Sequence, residues 1–284
     1  MIDGLVVVDK AAGWTSHDVV AKCRGIFGQR RIGHSGTLDP DATGVLLVGL
    51  GRVTRLLRFL TELPKTYTAQ VVLGVATSTL DASGEVVERF DMSGIGIDDV
   101  RRAAEALTGP ILQVPPMVSA VRVGGRRLHE LARAGVEVER EARPVTVRRF
   151  TVGESDEPLV FDIEVECSSG TYIRTLGADL ARALGGGGHV RHLRRRAIGS
   201  FGEAAARHLE DLSPESVLGP VDALRDYPSA QVDAATAQAV GHGRRVEGLP
   251  PGVVRVVGPD GSLVAVYDRG RPAVVLSGSG HSAG

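Results

Sequence analysis

The alternation of apolar and polar positions predicts a chain that mixes strands with helices. The apolar run over residues 5–9 is typical of a buried strand, and alternating apolar residues predict another strand over 65–73. Between them, apolar residues at helical spacing predict a helix that begins near Thr15. Thr15 and Asp18 have the spacing of a capping box, which fixes the start of that helix.

The same patterns predict further elements along the chain. They indicate strands over 45–49, 145–152, 160–167 and 190–198, and helices over 52–63, 97–107, 128–134 and 171–184. After about residue 224 the character changes, and two apolar runs flank Gly-Pro-Asp-Gly at 258–261, which is a hairpin signal. The C-terminal part is therefore predicted to be small and rich in strands.

Composition narrows the class of protein. The chain has 284 residues, of which 43% are hydrophobic and 24% charged, as in an ordinary globular protein. Its two cysteines, Cys23 and Cys167, lie far apart without a spacing that suits zinc, so we expect buried thiols in a reducing compartment. The first apolar run is too short for a signal peptide or a membrane span. We therefore expect a cytoplasmic protein.

Charge is segregated although the net charge is −1. Cations outnumber acids in three stretches, 10–34, 122–149 and 189–208, whereas acids collect over 81–99. Local basic tracts on a neutral chain are able to form a phosphate-binding face. The alternative is a compositional bias, because only three of the 33 cations are lysine.

A loop over residues 33–44 is the strongest candidate for chemistry. Its three glycines permit unusual backbone angles and close approach of a ligand. Pro40 restricts the backbone of Asp39, which fixes the direction of the carboxylate. The alternative is that Asp39 only forms a turn, since Asp-Pro is a common turn dipeptide.

With its neighbours, this loop resembles the bacterial tRNA pseudouridine-55 synthases, the TruB family. The matching segments cover roughly residues 3 to 200 in the family's order. They are Asp9-Lys10 with Gly13-x-Thr15-Ser16, the string Gly-His-Ser-Gly-Thr-Leu-Asp-Pro-Asp-Ala-Thr-Gly at 33–44, Lys65-x-Tyr67, Thr79-x-Asp81, Gln113-x-Pro-Pro-Met-x-Ser-Ala120, Gly-Thr-Tyr-Ile-Arg-Thr at 170–175, and His189-Val-x-x-Leu-Arg-Arg195. Ala11 departs from the family's usual proline.

The resemblance implies a reaction in which uracil leaves its ribose, rotates and is rejoined through carbon 5. It assigns Asp39 as the catalytic carboxylate, with no cofactor and no metal. Burial would raise the pKa of Asp39, so a neighbouring cation is needed, and the family's candidate is Arg174. Whether Asp39 attacks the sugar or the base stays open.

Five more residues match family positions. The resemblance implies that Tyr67 stacks on the target base and, as a catalytic residue, lies where the C5 proton must leave. It also implies that Tyr172 and Leu193 line the pocket and that Asp81 is a polar contact. His34 would fill the space that the flipped base leaves in the RNA. Without the resemblance, Tyr67 would be interpreted as a core residue and His34 as an ordinary loop histidine.

The resemblance also implies the architecture and the partner. We expect an α+β fold with a mixed, largely antiparallel sheet, the pseudouridine synthase fold. The catalytic domain would span 1–227, with an RNA-clamping insertion at about 115–144 that is mobile without RNA. A small β-rich RNA-binding domain of the PUA kind would span 228–276, before a disordered tail at 277–284. The partner would be the T-arm of tRNA, bound by a monomer that needs no protein partner and no membrane.

Three rival functions stay open. The first is a non-catalytic tRNA-binding or folding chaperone. The second is a related synthase that depends on a guide RNA and protein partners. The third is a hydrolase in which Asp39 and His34 form an acid–base pair, although the sequence offers neither a second catalytic acid nor a metal spacing.

Overall fold

The protein folds around one large sheet and one small sheet. The structure is a computed structural model that describes residues 1–119 and 138–276, and the backbone of 122–123 and 126–127. The strands are β1 Gly4–Lys10, β2 Ile32–Ser35, β3 Thr43–Leu50, β4 Lys65–Leu73, β5 Val75–Thr77, β6 Val86–Arg89, β7 Gly109–Gln113, β8 Arg122–Val123, β9 Arg126–Arg127, β10 Arg143–Glu154, β11 Val160–Cys167, β12 Gly188–Ile198, β13 Phe201–Gly202, β14 Ser229–Gln231, β15 Val253–Val257, β16 Leu263–Asp268 and β17 Arg271–Val275. The α-helices are α1 Ser16–Ile26, α2 Leu57–Glu62, α3 Ile97–Ala106, α4 Ile173–Ala183 and α5 Ala234–Gly241.

The large sheet has nine strands. Its main path runs β1-β3-β12-β4-β11-β10-β7, with β2 paired to β3 and β13 to β12. Every pair in it is antiparallel except β3 with β12, where Arg194 and Arg195 lie beside Thr43 and Gly44. The prediction of a mixed, largely antiparallel sheet is confirmed.

Gly44 makes the parallel contact between β3 and β12 possible. Its φ is +100°, and a Cβ at this position would lie 2.2 Å from the carbonyl oxygen of Arg195. A side chain would therefore push the two strands apart. Since β3 follows the Asp39 loop and β12 carries Leu193, this close approach sets the distance between two walls of the site.

Strand β12 is irregular beside β4. Its register shifts between Arg191 and Arg194, and His192 has a φ of +53°. Such a bulge places extra residues on one strand and re-aims a side chain. Leu193 lies at this bulge and packs partly against the core beneath the sheet.

Helix α1 begins as the sequence predicts. Thr15 caps it, its hydroxyl accepts the amide of Asp18 at 3.1 Å, and the Asp18 carboxylate accepts the amide of Thr15 at 2.9 Å. The helix packs Val19, Val20 and Cys23 into the core. Cys167 is buried too and both thiols are free, so the prediction of buried thiols is confirmed. Burial raises the pKa of each thiol to about 11.

The small C-terminal sheet has the order β14-β15-β16-β17 and shares a core with the large sheet. The predicted hairpin is confirmed as β15 and β16. Arg52, Arg55 and Arg58 donate to the carbonyls of Leu276, Val275 and Ala273 at 2.8, 2.8 and 2.9 Å. Three arginines, of which Arg55 and Arg58 are exposed, therefore attach the C-terminal end of this sheet to the segment over 52–58.

Three predicted elements differ from the structure. The first three residues of the loop expected over 33–44 belong instead to β2, because Gly33 to Ser35 pair with β3. The expected helix over 52–63 is a 3-10 turn, Gly51–Arg55, followed by α2. There the Thr54 hydroxyl donates to the Gly51 carbonyl at 2.7 Å and competes with helical bonding. Gly109 stops α3 as expected but also begins β7.

Some elements were not predicted, and some predictions lie outside the described residues. The unpredicted elements include the β5–β6 hairpin, β14 and α5. The expected helix over 128–134 and the tail over 277–284 fall outside the described part of the chain, as do residues 120–121, 124–125 and 128–137 of the proposed clamping insertion. No helix in the described ranges is long and apolar enough to cross a membrane.

Candidate active site

Two buried polar residues hold the backbone of the loop between β2 and β3. Ser16, at the start of α1, accepts the amide of Leu38 through its hydroxyl at 2.9 Å. Lys10, at the end of β1, is fully buried and donates to the carbonyl of Pro40 at 2.9 Å. These contacts lie on either side of Asp39, so the backbone that carries this carboxylate is fixed.

Lys10 has no carboxylate within ion-pairing distance among the described residues. Its ammonium group also donates to the carbonyls of Ala11 and Trp14, at 3.0 and 2.7 Å. Burial lowers its pKa to about 8, although Asp41 and Asp39 oppose the shift. Lys10 therefore joins the strand end, the turn before α1 and the Asp39 loop through three carbonyls.

Arg174 and Asp39 form a bidentate ion pair. Nε of Arg174 lies 2.9 Å from Oδ2 of Asp39, and Nη2 lies 3.1 Å from Oδ1. The arginine side chain is 4% exposed and the aspartate side chain 38% exposed. The guanidinium also donates to the carbonyls of Thr79 and Val118, both at 2.8 Å. The cation is thus fixed in the protein while the carboxylate reaches open space.

Burial raises the pKa of Asp39, and this is the largest influence on it. The charge and hydrogen bond of Arg174 lower the pKa, whereas the nearby charge of Asp81 raises it. The net direction is upward from the ordinary value. The arginine therefore offsets part of the cost of keeping a carboxylate ionised in this place, as expected.

Asp39 opens into a cavity of about 240 Å³. Tyr67 on β4, Leu193 on β12, and Tyr172 and Arg174 at the start of α4 line it with Asp39. Gln113 fixes Tyr172 in place, because its amide group accepts the Tyr172 amide at 2.7 Å and donates to the Tyr172 carbonyl at 3.1 Å. The cavity lies below the size usual for drug-like ligands.

The polar floor of this cavity was not predicted. Arg195 is 1% exposed and donates to the carbonyls of Val45 and Gly36, at 2.7 and 3.1 Å. It also lines the cavity with Lys65 and Tyr67, where its positive charge opposes protonation of the Tyr67 phenol. Burial nevertheless raises the pKa of Tyr67 and keeps the phenol protonated. The sequence signals for Arg195 were its place in an arginine-rich strand and in the matching segment His189-Val-x-x-Leu-Arg-Arg195, neither of which assigned it to the cavity.

Asp81 lies behind Arg174, beside a second cavity of about 460 Å³. Its Oδ2 lies 3.5 Å from Nη1 of Arg174, and its Oδ1 accepts the hydroxyls of Thr79 and Ser83, each at 2.6 Å. Asp39 and Arg174 also line this second cavity. Asp81 is thus a neighbour of the pair, with most of its oxygen capacity already used inside the protein.

His34 is not among the residues that line either cavity. It lies on β2, where its ring meets that of His17 edge-on at 5.2 Å. Burial lowers its pKa to about 4, and its Nδ1 is buried without a hydrogen bond within the described structure. The structure therefore brings together the other six predicted site residues but places His34 apart from them.

The arginines of β12 are engaged within the protein. Arg191 bonds Gln70 and Glu157, Arg194 bonds Asp9 and Glu203, and Arg196 bonds Glu203. With Arg195 buried, this tract is not a free row of cations in the folded chain. The sequence made this tract a candidate for a phosphate-binding face, but the buried Arg195 does not belong to such a face.

Comparison with known proteins gives the class of the chain. Three family models match consecutive parts of it: "TruB family pseudouridylate synthase (N terminal domain)" over 24–173, "tRNA pseudouridylate synthase B C-terminal domain" over 174–225, and "tRNA Pseudouridine synthase II, C terminal" over 227–276. The chain belongs to the TruB family of pseudouridine synthases.

Relatives of similar length support this membership. A protein of Rhodococcus jostii (strain RHA1) named tRNA pseudouridine synthase B is 48% identical, over 95% of this chain and 92% of its own length. A protein of the same name in Thermobifida fusca (strain YX) is 45% identical, over 98% of this chain and 100% of its own length.

Solved structures show the same fold. A chain of a Cbf5-Nop10-Gar1 complex is 27% identical with a TM-score of 0.74, and the match covers 93% of this chain and 78% of that one. A chain of an H/ACA RNP bound to a substrate RNA containing 2′-deoxyuridine is 25% identical with a TM-score of 0.71, over 93% and 77%. The predicted fold class is confirmed.

Proposed function

We propose that this protein converts uridine 55 in the T-arm of tRNA to pseudouridine, with Asp39 as the nucleophile and without a cofactor. Family membership and the names of the relatives support tRNA pseudouridylation. The observation that carries the chemistry is the bidentate pair of Asp39 and Arg174, in which the carboxylate faces the cavity. Position 55 rests on the resemblance to the family.

The reaction rearranges bonds without changing the composition of the nucleoside. The bond between N1 of uracil and C1′ of ribose breaks, and a bond between C5 and C1′ forms. C5 loses a proton, and N1 carries a hydrogen in the product. A single carboxylate that adds covalently and leaves again is sufficient, whether it attacks the sugar or the base.

The remaining residues would position the base. Tyr67 and Leu193 offer flat and apolar walls for a uracil ring, and Tyr172 lines the same cavity beside Arg174. A uracil inside an RNA loop must leave its stack to reach Asp39, which costs a few kcal/mol. In this proposal His34 occupies the space that the base leaves, and Asp81 tunes Arg174 from behind.

The charged nature of the partner has a measurable consequence. RNA binding that depends on phosphate contacts weakens as salt rises, because counterions are released on binding.

We propose that the protein acts as a monomer without a protein partner, although similar chains occur in the complexes named above. A pure protein that modifies a pure tRNA transcript would separate this proposal from guide-dependent modification.

The test maps pseudouridine at nucleotide resolution in an unmodified tRNA transcript treated with the purified protein. We expect one modified position, uridine 55. Asp39→Asn should abolish the product while the dissociation constant for the transcript, measured by fluorescence anisotropy, stays within about threefold, because the amide keeps the shape of the carboxylate but is not a nucleophile. Asp41→Asn, an exposed change in the same loop, is the matched control.

Four outcomes would contradict the proposal. Product formed at the normal rate by Asp39→Asn would show that Asp39 is not the nucleophile. Modification elsewhere than position 55 would correct the substrate site. Tight binding without any product from the wild-type protein would favour the chaperone alternative, and product formed only after adding a guide RNA would favour the guide-dependent synthase.

A further inference from the structure

Trp14 differs from the other aromatic residues of the chain. The protein has one tryptophan, four tyrosines and six phenylalanines, all of them in the described ranges. Trp14 is 37% exposed, and every other aromatic side chain is buried or half-buried. Tryptophan is enriched at interfaces because its ring combines a large apolar area with a polar N–H group, so an exposed tryptophan is a candidate for contact with a partner.

The backbone of Trp14 is attached to the catalytic loop. Its carbonyl and that of Pro40 converge on the same ammonium group, that of Lys10, at 2.7 and 2.9 Å. The amide of Gly13 also donates to the Pro40 carbonyl at 3.0 Å. The turn that carries Trp14 is therefore fixed beside the residue that directly follows Asp39.

Pro40 connects this turn to the site. It is exposed and lines the second cavity together with Asp39. His17, also exposed, follows on the first turn of α1 and contacts the ring of His34. The backbone of Trp14 thus lies beside Pro40, whose ring lines the second cavity, and Asp39 lines both cavities.

We propose that Trp14 stacks on a nucleobase of the RNA next to the uridine that enters the Asp39 cavity. This inference rests on the proposed function, because it requires an RNA substrate. Stacking suits this place since each base has a π-face and the backbone that carries the indole is already fixed by the bond from Lys10. The contact would hold the RNA while the target base is out of its stack.

The single tryptophan makes the test direct, because intrinsic tryptophan fluorescence reports position 14 alone. A T-arm stem-loop is titrated into the protein in the Asp39→Asn background, which prevents turnover during the measurement. We expect the emission to be quenched and the indole to be protected from acrylamide. The midpoint should equal that from the anisotropy of the labelled RNA.

Variants give an independent measurement. Loss of one stacked base predicts that Trp14→Ala weakens RNA binding about tenfold, and Trp14→Phe should recover most of that loss. The rate at saturating RNA should stay unchanged, since Trp14 does not contact the reacting atoms. Val87→Ala, at an exposed apolar position on β6, is the matched control and should leave binding unchanged. Thermal unfolding of each variant confirms that it is folded.

The outcomes separate this inference from the proposed function. If the RNA binds and is modified while tryptophan emission and the affinity of Trp14→Ala do not change, the stacking contact is wrong and the enzyme assignment stands. If no variant and no wild-type protein binds the stem-loop, both fail. Quenching when the protein alone is concentrated would assign this surface to a second copy and overturn the RNA contact.

Discussion

Two arginine–aspartate pairs in this molecule have nearly the same contact distances and different surroundings. Arg174 holds Asp39 through contacts of 2.9 and 3.1 Å, and Arg194 holds Asp9 through contacts of 2.7 and 3.1 Å. In the first pair the arginine is 4% exposed and the aspartate 38%. In the second the order is reversed, with the arginine 33% exposed and the aspartate 17%.

The difference shows that a bidentate pair alone does not identify a catalytic acid. Arg194 also bonds Glu203 and Thr43, so its pair is part of a network that joins β12 to β1 and β3. Arg174 is fixed by the carbonyls of Thr79 and Val118 and leaves Asp39 as the reachable group. The partner that faces the cavity determines whether such a pair serves structure or chemistry.

The largest expected contrast comes from weakening each pair in turn. Arg174→Lys keeps the charge but loses the two-pronged contact, so Asp39 is misplaced and single-turnover pseudouridine formation should fall about a hundredfold. Arg194→Lys should leave the single-turnover rate unchanged and lower the thermal unfolding temperature instead. Equal losses of rate in both variants would show that the two pairs do not differ in role.

Two glycine substitutions test how much the close contact between β3 and β12, beside the Arg194–Asp9 pair, contributes to stability. Gly44→Ala should destabilise the protein by about 4 kcal/mol or more, because the new Cβ meets the carbonyl oxygen of Arg195. Gly109→Ala is the matched control, since Gly109 has a φ of +102° with nothing within 4 Å. It should cost only about 1–2 kcal/mol of backbone strain. Urea unfolding measures both, and similar losses would contradict the steric account.

The smallest effect concerns His34, which lies outside both pairs. Its pKa is lowered from 6.5 to about 4, so between these values the unfolded chain binds a proton that the folded chain does not. Stability should therefore fall as the pH is lowered from about 6.5 towards about 4. His34→Gln should reduce this fall by a few degrees of unfolding temperature. An unchanged pH dependence in that variant would show that His34 titrates normally.

Much of the fold could be predicted from local pattern. The strand β1, the capped start of α1 and the alternating strand β4 follow from the spacing of apolar residues and from Thr15 with Asp18. The prediction of one helix over 52–63 was wrong because the Thr54 hydroxyl donates to the Gly51 carbonyl and competes with helical hydrogen bonding. The spacing of apolar residues does not reveal this competition. The order of strands in the sheet depends on contacts between distant parts of the chain.

The site likewise contains residues that the sequence predicts and residues that it does not. Asp39 was recognisable from its loop, but its pairing with Arg174 spans 135 residues and came from the resemblance. The roles of Lys10 and Arg195 could not be predicted, because their partners are backbone carbonyls brought together only by the fold. Whether a cation faces solvent or a buried carbonyl is a property of packing, which charge counting along the sequence does not contain.

The most direct test of an ionised Asp39 is the pH dependence of single-turnover pseudouridine formation in wild type and Arg174→Lys. Burial raises the pKa of Asp39 and Arg174 lowers it. The wild-type rate should therefore fall with decreasing pH before the ordinary value of 3.8 is reached, and the variant's midpoint should lie at higher pH. Arg194→Lys should keep the wild-type midpoint. A rate that stays flat down to that value, or the same midpoint in wild type and Arg174→Lys, would contradict the account.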